Sequence, residues 1–293
     1  MTRSTPFALA GGSALITGAA MGMGRLYALR AAAEGAASIE LWDVDTEGLA
    51  AVAAEVEAAG SRAIARRVDL TDPDAIIDAA ALTRDRGPLA LLINNAGVVR
   101  GAPFAEHTRR DIDMTMAVNT LAPMHLTREL IPAMIEDSRR PRRILNIASA
   151  AGTLANPRMS VYAASKWAMI GWSDSMRIEL QQQGVHHLAV TTFCPSYIST
   201  GMFEGARGPL LTPLMTPERA VELAWSAMLK GTPLRYAPAS VHLAKAARGL
   251  LPTAAWDFAA AKVFKVYSSM EEFTGRPAPH PAAPSDGPVA HTR

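Results

Sequence analysis

The sequence predicts an α/β fold, a doubly wound parallel sheet with helices on both faces. Short apolar runs alternate with longer segments in which apolar residues recur every three or four positions, a pattern typical of alternating strands and helices. The first strand leads through a glycine-rich turn into a helix. No composition shift or internal repeat divides the chain before a Pro- and Ala-rich tail, so a single large domain is expected.

The strands are predicted from short, almost wholly apolar runs, which are typical of strands buried on both faces of a sheet. They are Ser13–Thr17, Ser38–Asp43, Ala63–Val68, Leu89–Ile93, Ile144–Ala148 and Leu188–Phe193. Because a helical segment separates most consecutive runs, the strands should pair in parallel.

The helices are predicted from apolar periodicity and from the residues at their first positions. They run from about Arg25 to Glu34, Thr46 to Ala59, Thr108 to Asp137 and Val161 to Gln183. Thr71 with Asp74 resembles the capped start of a further helix. Thr216-Pro217-Glu218 starts another, since proline is favoured at the first helical position.

Composition and charge limit the classes of protein to which the chain can belong. The chain has 293 residues and is 49% hydrophobic, with a mean hydropathy of +0.09, which suits a globular domain. Lysine and arginine number 29 against 27 acidic residues, so the total charge gives no sign of a nucleic-acid partner. The 1 cysteine, Cys194, cannot form an internal disulfide. With no signal-peptide pattern at the start and no apolar run of ~18 residues, a cytoplasmic protein is expected.

The glycine-rich turn after the first strand predicts a pyrophosphate site. Glycines allow close backbone approach, and the following helix offers free N–H groups with a partial positive charge. The spacing is G-x-x-x-G-x-G, and a plain tight turn is the alternative. The residues assigned to the site are Gly18, Met21, Gly22, Met23 and Gly24.

An acid at the end of the second strand favours NAD over NADP. Asp43 lies 19 residues beyond Gly24, close to the ~20 expected for an acid that binds the adenosine ribose hydroxyls and repels a 2′-phosphate. No Arg or Lys adjoins Asp43, and position 21 is Met. The alternative is that Asp43 or Asp45 only caps the next helix.

Two further strand ends carry residues suited to the same nucleotide. Asp69 and Leu70 follow the third strand, where adenine would lie. Asn95, Ala96 and Gly97 follow the fourth strand, and their small side chains allow close approach of a ligand to the backbone.

Three polar residues predict proton-transfer chemistry, and a fourth needs a polar partner. Tyr162 and Lys166 are four apart on one helix, so both lie on the same face, and Ser149 closes the strand before it. A nearby ammonium group would lower the pKa of the Tyr162 phenol and let it exchange a proton with an alcohol or carbonyl oxygen held by Ser149. Asn119, inside a helix, needs a polar partner or water. A surface Tyr and Lys pair is the alternative.

These motifs together resemble the short-chain dehydrogenase/reductase family over roughly positions 10–236. The resemblance implies a Rossmann fold of about seven parallel strands and a catalytic tetrad of Asn119, Ser149, Tyr162 and Lys166. In it Tyr162 would be the acid/base and Lys166 would bind the cofactor ribose, while Asn119 would hold a relay water behind Lys166. Pro195, Ile198 and Thr200 resemble the segment that grips the nicotinamide amide, although Ser196 stands where the family usually has glycine.

Short segments resemble one branch more closely, the retinol dehydrogenases and 17β-hydroxysteroid dehydrogenases. They are Leu41-Trp42-Asp43, Thr200–Gly205, Leu250-Leu251-Pro252 and Ser269-Met270 with Phe273. That branch handles large apolar alcohols and ketones. The loop after position 200 offers apolar side chains for such a pocket, or only for loop packing or a subunit contact: Met202, Phe203, Leu210, Leu211, Leu214 and Met215.

The expected function is therefore NAD(H)-dependent interconversion of a hydrophobic alcohol and its ketone or aldehyde. Alternatives are an NADPH-dependent 3-oxoacyl-thioester reductase and a nucleotide-sensing protein without turnover, which would not need a proton donor. Sugar-nucleotide epimerases share Y-x-x-x-K, but their glycine spacing differs. Family members usually form homodimers or homotetramers through helices that correspond to 161–183 and 217–230.

The chain is expected to divide into a catalytic domain at 1–239, a helical extension at 240–274 and a disordered tail at 275–293. The extension reads as two amphipathic helices, Ser240–Leu251 and Thr253–Tyr267. Packing against the domain or a partner subunit is favoured for it; shaping the pocket mouth or touching a membrane surface are the alternatives. No histidine spacing predicts a metal site.

Overall fold

The computed structural model describes residues 7–206, 208–209, 212 and 214–275. Its strands are β1 (Ser13–Thr17), β2 (Ser38–Asp43), β3 (Arg62–Arg67), β4 (Leu91–Asn94), β5 (Arg142–Ile147), β6 (Leu188–Pro195) and β7 (Leu234–Ala237). They form one sheet in the order β3-β2-β1-β4-β5-β6-β7, with every neighbouring pair parallel. The predicted doubly wound, seven-stranded sheet is confirmed.

Nine α-helices surround the sheet in the described part of the chain. They are α1 (Gly22–Ala33), α2 (Thr46–Ala58), α3 (Pro73–Arg84), α4 (Arg109–Met116), α5 (Ala122–Glu136), α6 (Ser160–Gln182), α7 (Pro217–Leu229), α8 (Ser240–Leu250) and α9 (Thr253–Phe258). Two π-helical turns join or extend them, Ala117–Leu121 between α4 and α5, and Ala259–Val263 after α9.

Alternate residues of the central strands build two cores, one on each face of the sheet. Leu15, Leu92 and Ile144 pack under α3, α5 and α6. Their neighbours Ile16, Ile93 and Leu145 pack on the opposite face under α1, α2 and α7. Both faces are therefore buried, which explains why these strands read as continuous apolar runs rather than as alternating patterns.

Two predicted helix starts are wrong. The first helix begins at Gly22 rather than near Arg25, because glycines that disfavour a helix interior nevertheless form its first turn here. The helix start predicted from Thr71 with Asp74 is also wrong. Asp72 is the cap, and its carboxylate accepts hydrogen bonds from the backbone N–H groups of Asp74 and Ala75.

Strand β5 begins two residues earlier than predicted, with two arginines that are 1% exposed. The Arg142 guanidinium pairs with Asp137 and donates to the Pro88 carbonyl, so its charge is compensated at the start of the strand. Arg143 donates to the Met228 carbonyl and stacks over Phe7. Sequence patterning excluded both residues, because a charged pair does not resemble the start of a buried strand.

The C-terminal extension packs beside the carboxyl ends of β5 and β6. Trp256 and Ala260 are buried against Ala244, Ala247 and the chain that follows. The predicted second helix, Thr253–Tyr267, is shorter than expected, because its α-helical part ends at Phe258 and gives way to a π turn. The predicted disordered tail lies outside the described residues from position 276 onward. No described helix is both long enough and apolar enough to cross a membrane.

Candidate active site

The predicted site residues meet at the carboxyl edge of the sheet. The strand order reverses direction between β1 and β4, and the loops that leave these two strands diverge there to form a crevice. The glycine turn leaves β1, the Asn95–Gly97 segment leaves β4, Ser149 follows β5, and Pro195 ends β6. Residues from four separate strands are thus brought to one place by the topology alone.

Ser149, Tyr162 and Lys166 lie together and are nearly inaccessible, at 8%, 5% and 3% exposed. The Ser149 side chain acts on the Tyr162 phenol and lowers its pKa. The Ser149 hydroxyl accepts from the Ala151 N–H at 3.2 Å, which fixes its position at the strand end. The Lys166 ammonium donates to the Ile147 carbonyl at 2.9 Å and lies 5.8 Å from the centroid of the Tyr162 ring.

Burial dominates the electrostatics of this cluster. It raises the pKa of Tyr162 to about 12, against the lowering effect of the Ser149 side chain. It also lowers the pKa of Lys166 to about 8, because a charged ammonium loses its hydration there. The expected lowering of the Tyr162 pKa by Lys166 is therefore not found in this structure. Among the groups that act on Tyr162, Ser149 is the one that lowers its pKa.

Asn119 lies in the π turn between α4 and α5 and is fully buried. Its side-chain oxygen accepts from the Val98 N–H at 2.8 Å, and its amide donates to the Val98 carbonyl and to Ser165 Oγ. The predicted need for a polar partner inside the helix is confirmed. Asn119 also borders Lys166, since a Cβ added at Gly97 would meet Asn119 Oδ1 at 3.4 Å and Lys166 Nζ at 3.5 Å.

The glycine turn forms a cradle in which Gly18 and Gly24 leave no room for a side chain. A Cβ at Gly24 would lie 1.8 Å from the Gly18 carbonyl oxygen, and one at Gly18 would lie 2.9 Å from Ala96 Cα. Gly18 and Gly22 also have positive φ values, 65° and 55°. Since Gly22, Met23 and Gly24 form the first turn of α1, their N–H groups suit a pyrophosphate.

Asp43 lies beside this cradle. One of its carboxylate oxygens accepts from the Ala20 N–H in the turn at 3.1 Å, and the other accepts from the Val44 and Asp45 N–H groups. The cap of α2 is Asp45, which accepts from the Gly48 N–H. Asp43 does not cap that helix, and its position suits an adenosine ribose bound above the turn.

The other residues predicted to bind the nucleotide are held by hydrogen bonds or by packing. Asp69 accepts from the Thr71 N–H and hydroxyl, and these bonds hold the pKa of its carboxyl below the usual value. Leu70 is partly buried against the core. Asn95 donates to the carbonyls of Thr17 and Gly18, so it ties the loop after β4 to the glycine turn.

Thr17 is a structural residue that was not assigned to the site from the sequence. Its hydroxyl accepts from the N–H groups of Asn95 and Ala96 and donates to the Ile93 carbonyl. A threonine at the end of a strand gives no signal that distinguishes this role from ordinary strand preference.

The segment predicted to grip a nicotinamide leaves β6 beside the other groups. The Pro195 carbonyl accepts from the Ser149 hydroxyl at 3.5 Å. Ile198 is buried, and a Cβ at Gly22 would lie 3.9 Å from the Thr200 side chain. The segment therefore connects Ser149 at one end with the glycine turn at the other.

An apolar cleft of about 910 Å³, including space open to solvent, begins at Ser149. Of the six apolar loop residues predicted to line it, Phe203 does so, whereas Met215 packs against the core below α7. Leu210 and Leu211 lie outside the described residues. Most of the lining comes from elsewhere, and the C-terminal extension contributes Ser240, Val241, Leu243, Ala244, Ala247, Trp256, Phe264 and Val266.

Phe203 lies edge-on to two tyrosines at the inner end of the cleft. Its ring centroid is 5.9 Å from that of Tyr162 and 5.4 Å from that of Tyr197. The Tyr197 hydroxyl is 2.8 Å from Ser269 Oγ and accepts from Asn156 Nδ2 at 2.8 Å. Thus a residue of the extension, Ser269, fixes a tyrosine that lines the cleft, a contact that no local sequence pattern indicates.

The chain is similar in sequence to known dehydrogenases and reductases. A family model described as short chain dehydrogenase matches residues 13–209. The chain is 39% identical to Ketoacyl reductase HetN of Nostoc sp. over 72% of each chain. It is 32% identical to Epidermal retinol dehydrogenase 2 of Mus musculus, over 92% of this chain and 87% of the relative. It is 31% identical to Estradiol 17-beta-dehydrogenase 11 of the same organism, over 83% and 81%.

Solved structures support the same relationship. A short chain dehydrogenase/reductase from Burkholderia phymatum, in complex with NAD, superposes with a TM-score of 0.75 at 25% identity, over 83% of this chain and 94% of that one. A metagenomic short-chain oxidoreductase in complex with NADP superposes with a TM-score of 0.66 at 30% identity, over 78% and 96%. Such neighbours hold either nicotinamide cofactor, so the fold alone does not select between them.

Proposed function

Because the chain belongs to the short-chain dehydrogenase/reductase family, in the branch of retinol and 17β-hydroxysteroid dehydrogenases, we propose that it oxidises and reduces a hydrophobic alcohol–carbonyl pair with NAD(H). The observation that carries this proposal is the buried group of Ser149, Tyr162 and Lys166 beside an apolar cleft that begins at Ser149. A nicotinamide cofactor, when bound, supplies or accepts the hydride.

The buried groups have distinct tasks in this proposal. Tyr162 takes the hydroxyl proton of the alcohol in oxidation and returns it to the carbonyl oxygen in reduction. Ser149 holds that oxygen by a hydrogen bond, and its own position is fixed by the Ala151 N–H. Lys166 is anchored on the Ile147 carbonyl, one helical turn from Tyr162, where it would bind the ribose hydroxyls. Asn119 positions the loop beside Lys166.

The preference for NAD is supported by Asp43. Its carboxylate is bonded to the backbone of the glycine turn, so its negative charge is held where the adenosine ribose would lie. A 2′-phosphate placed there would meet a fixed like charge, which is unfavourable by several kcal/mol in the absence of a compensating cation. The ribose hydroxyls, by contrast, would donate hydrogen bonds to the same oxygens.

The apolar cleft supports a lipophilic substrate. Trp256, Phe264 and Val266 line it at the end away from Ser149, and each additional buried methylene of a substrate contributes ~0.8 kcal/mol, a factor of about four in affinity. The substrate's polar oxygen would be directed to Ser149, since the far lining is aliphatic and aromatic.

The test is a steady-state assay of the purified protein with NAD or NADP and a panel of alcohols: retinol, estradiol, a long-chain secondary alcohol and propan-2-ol. We expect turnover with NAD and a kcat/KM for the large apolar alcohols at least about tenfold above that for propan-2-ol. Activity confined to NADP, or no turnover of any apolar alcohol, would contradict the proposal.

One observation favours a second candidate, an NADPH-dependent reductase of 3-oxoacyl thioesters. The relative with 39% identity carries the name of a ketoacyl reductase. Acetoacetyl-CoA with NADPH in the same assay tests this candidate directly. Nucleotide binding without turnover of any substrate would instead favour a sensor, although a sensor has no need of the Ser149–Tyr162 pair.

We also propose a cytoplasmic homodimer or homotetramer assembled through helices that include α6. Trp167 and Ile178 on α6 are 52% and 41% exposed, which is unusual for large apolar side chains on a long helix. Light scattering on the purified protein gives the mass directly, and a monomer at micromolar concentration would contradict the assembly.

A further inference from the structure

Exposed apolar side chains concentrate on the C-terminal extension. Of the fifteen large apolar side chains that are exposed in the described part of the chain, five fall between positions 243 and 263. They are Leu243 (67% exposed), Leu250 (84%), Leu251 (41%), Phe258 (66%) and Val263 (50%), and together they are called the outer face below. A segment whose only task is to pack on the domain would present polar side chains outward.

The outer face is distinct from the side that packs. Val241, Trp256 and Ala260 are at most 2% exposed and point into the protein. In α8, Leu243 and Leu250 are seven residues apart and so share one helical face. Phe258 and Val263 are five apart across the π turn, where hydrogen bonds span five residues, so they also lie on one side.

The same segment carries a positive charge. Between Ser240 and Val266 the chain has four cations, Lys245, Arg248, Lys262 and Lys265, against one acid. That acid, Asp257, accepts a hydrogen bond from the Tyr267 hydroxyl at 2.6 Å. Apolar side chains interspersed with lysine and arginine are typical of helices that lie in the interface of an anionic bilayer.

The active-site cleft opens at this face. Leu243 both lines the cleft and is 67% exposed, so it stands at the mouth. Ala244 and Ala247, which follow Leu243 on α8, also line the cleft. A ligand that lies against the outer face therefore has a continuous apolar path inward.

We propose that the C-terminal extension docks on the surface of an anionic phospholipid membrane, with the mouth of the cleft facing the lipid. Docking itself does not depend on the enzymatic activity, whereas direct entry of a lipophilic substrate from the bilayer rests on the proposed function. A second copy of this chain fits the outer face less well, because two surfaces that each carry an excess of cations would repel each other.

The experiment is flotation of the full-length protein with two kinds of vesicle, each at low and at high salt. One kind is phosphatidylcholine alone, and the other also contains roughly 30% phosphatidylglycerol, which makes it anionic. We expect binding to the anionic vesicles that weakens at least about fivefold at high salt. Replacing Leu250→Glu and Phe258→Glu together should weaken binding at least about tenfold. Ile77→Glu with Leu82→Glu is the matched control, because these two apolar side chains are also exposed (39% and 46%) and lie on α3, which packs against α5.

Equal partition of the wild type and the Leu250→Glu, Phe258→Glu variant would overturn the proposal, as would absence of binding to anionic vesicles. A fall in the solution mass of that variant would also overturn it, since the outer face would then be a subunit interface. Neither residue lines the cleft, so turnover of propan-2-ol or another water-soluble alcohol should be unchanged in the variant. Loss of docking with normal turnover thus separates this inference from the proposed function.

Discussion

The catalytic end of the site is fixed by hydrogen bonds to the backbone of the sheet, whereas the substrate end is enclosed by apolar contacts from the C-terminal helices. Ser149 and Lys166 are each bonded to backbone groups next to β5. Trp256 and Ala247, at the other end, pack in an apolar cluster. Proton transfer needs particular groups within bonding distance, while an apolar cleft needs only suitable volume.

This difference predicts unequal sensitivity to substitution. Removing one atom from a catalytic side chain should abolish a chemical step. A change of a few atoms in the lining of the cleft should alter the affinity for substrate by only a modest factor. Four substitutions test the comparison, from the largest expected effect to the smallest.

Tyr162→Phe should lower kcat at least about a thousandfold, because it deletes only the hydroxyl that exchanges the substrate proton. The dissociation constant of NAD, measured by fluorescence titration, should change less than about threefold. Tyr197→Phe is the matched control: it removes a second buried hydroxyl that contacts Ser269 and Asn156 but no proton-transfer group. If both variants lost the same activity, Tyr162 would have only a packing role.

Asp43→Asn should raise the ratio of kcat/KM for NADP to that for NAD about a hundredfold, since it removes the charge that would face a 2′-phosphate. Asparagine keeps an oxygen able to accept from the Ala20 N–H, so the turn should stay in place. Asp45→Asn, two residues away at the cap of α2, should leave the ratio within about threefold. An unchanged ratio in Asp43→Asn would contradict the assignment of the ribose site.

The buried Lys166 at the catalytic end lowers the free energy of unfolding of the protein. Its pKa is about 8 in the folded protein against 10.5 for the unperturbed side chain, so the unfolded state binds more protons between these values. The free energy of unfolding should therefore rise with pH across this window, by about 2 kcal/mol from pH 8 to pH 10, relative to Lys166→Met. Urea unfolding of both proteins at the two pH values measures this difference. Parallel pH dependences would show that Lys166 titrates normally.

The sequence predicted the two ends of the site with unequal success, for the same physical reason. The spacing of Tyr162 and Lys166 and the glycine turn could be identified because helix geometry and backbone approach demand those residues at those intervals. The cleft lining could not. The part that the extension contributes is mostly Ala, Val, Leu, Trp and Phe residues from α8, α9 and the chain after them, and ordinary helix packing would use the same residue types.

The predictions of strands and helices were wrong where tertiary contacts, and not the local sequence pattern, decide the structure. The two arginines that begin β5 are buried because Arg142 pairs with Asp137 and Arg143 donates to the Met228 carbonyl. Met228 is remote in sequence, and Asp137 is not at a spacing that a strand or helix pattern would reveal. The π turn around Asn119 likewise coincides with that residue's bonds to Val98, a contact 21 residues away in sequence. Strand β7, with four residues, was too short and too polar to be placed from its sequence.

The smallest expected effect is at the substrate end, where Ala247→Leu adds bulk to the cleft lining. It should lower kcat/KM for a long-chain or polycyclic alcohol about tenfold and leave that for propan-2-ol within about twofold, because only the large substrate reaches the extension. Ala246→Leu is the matched control, since Ala246 is the exposed neighbour on the same helix. A uniform loss with both substrates would mean that the extension acts on the catalytic end as well, and the two regions would then not be separable.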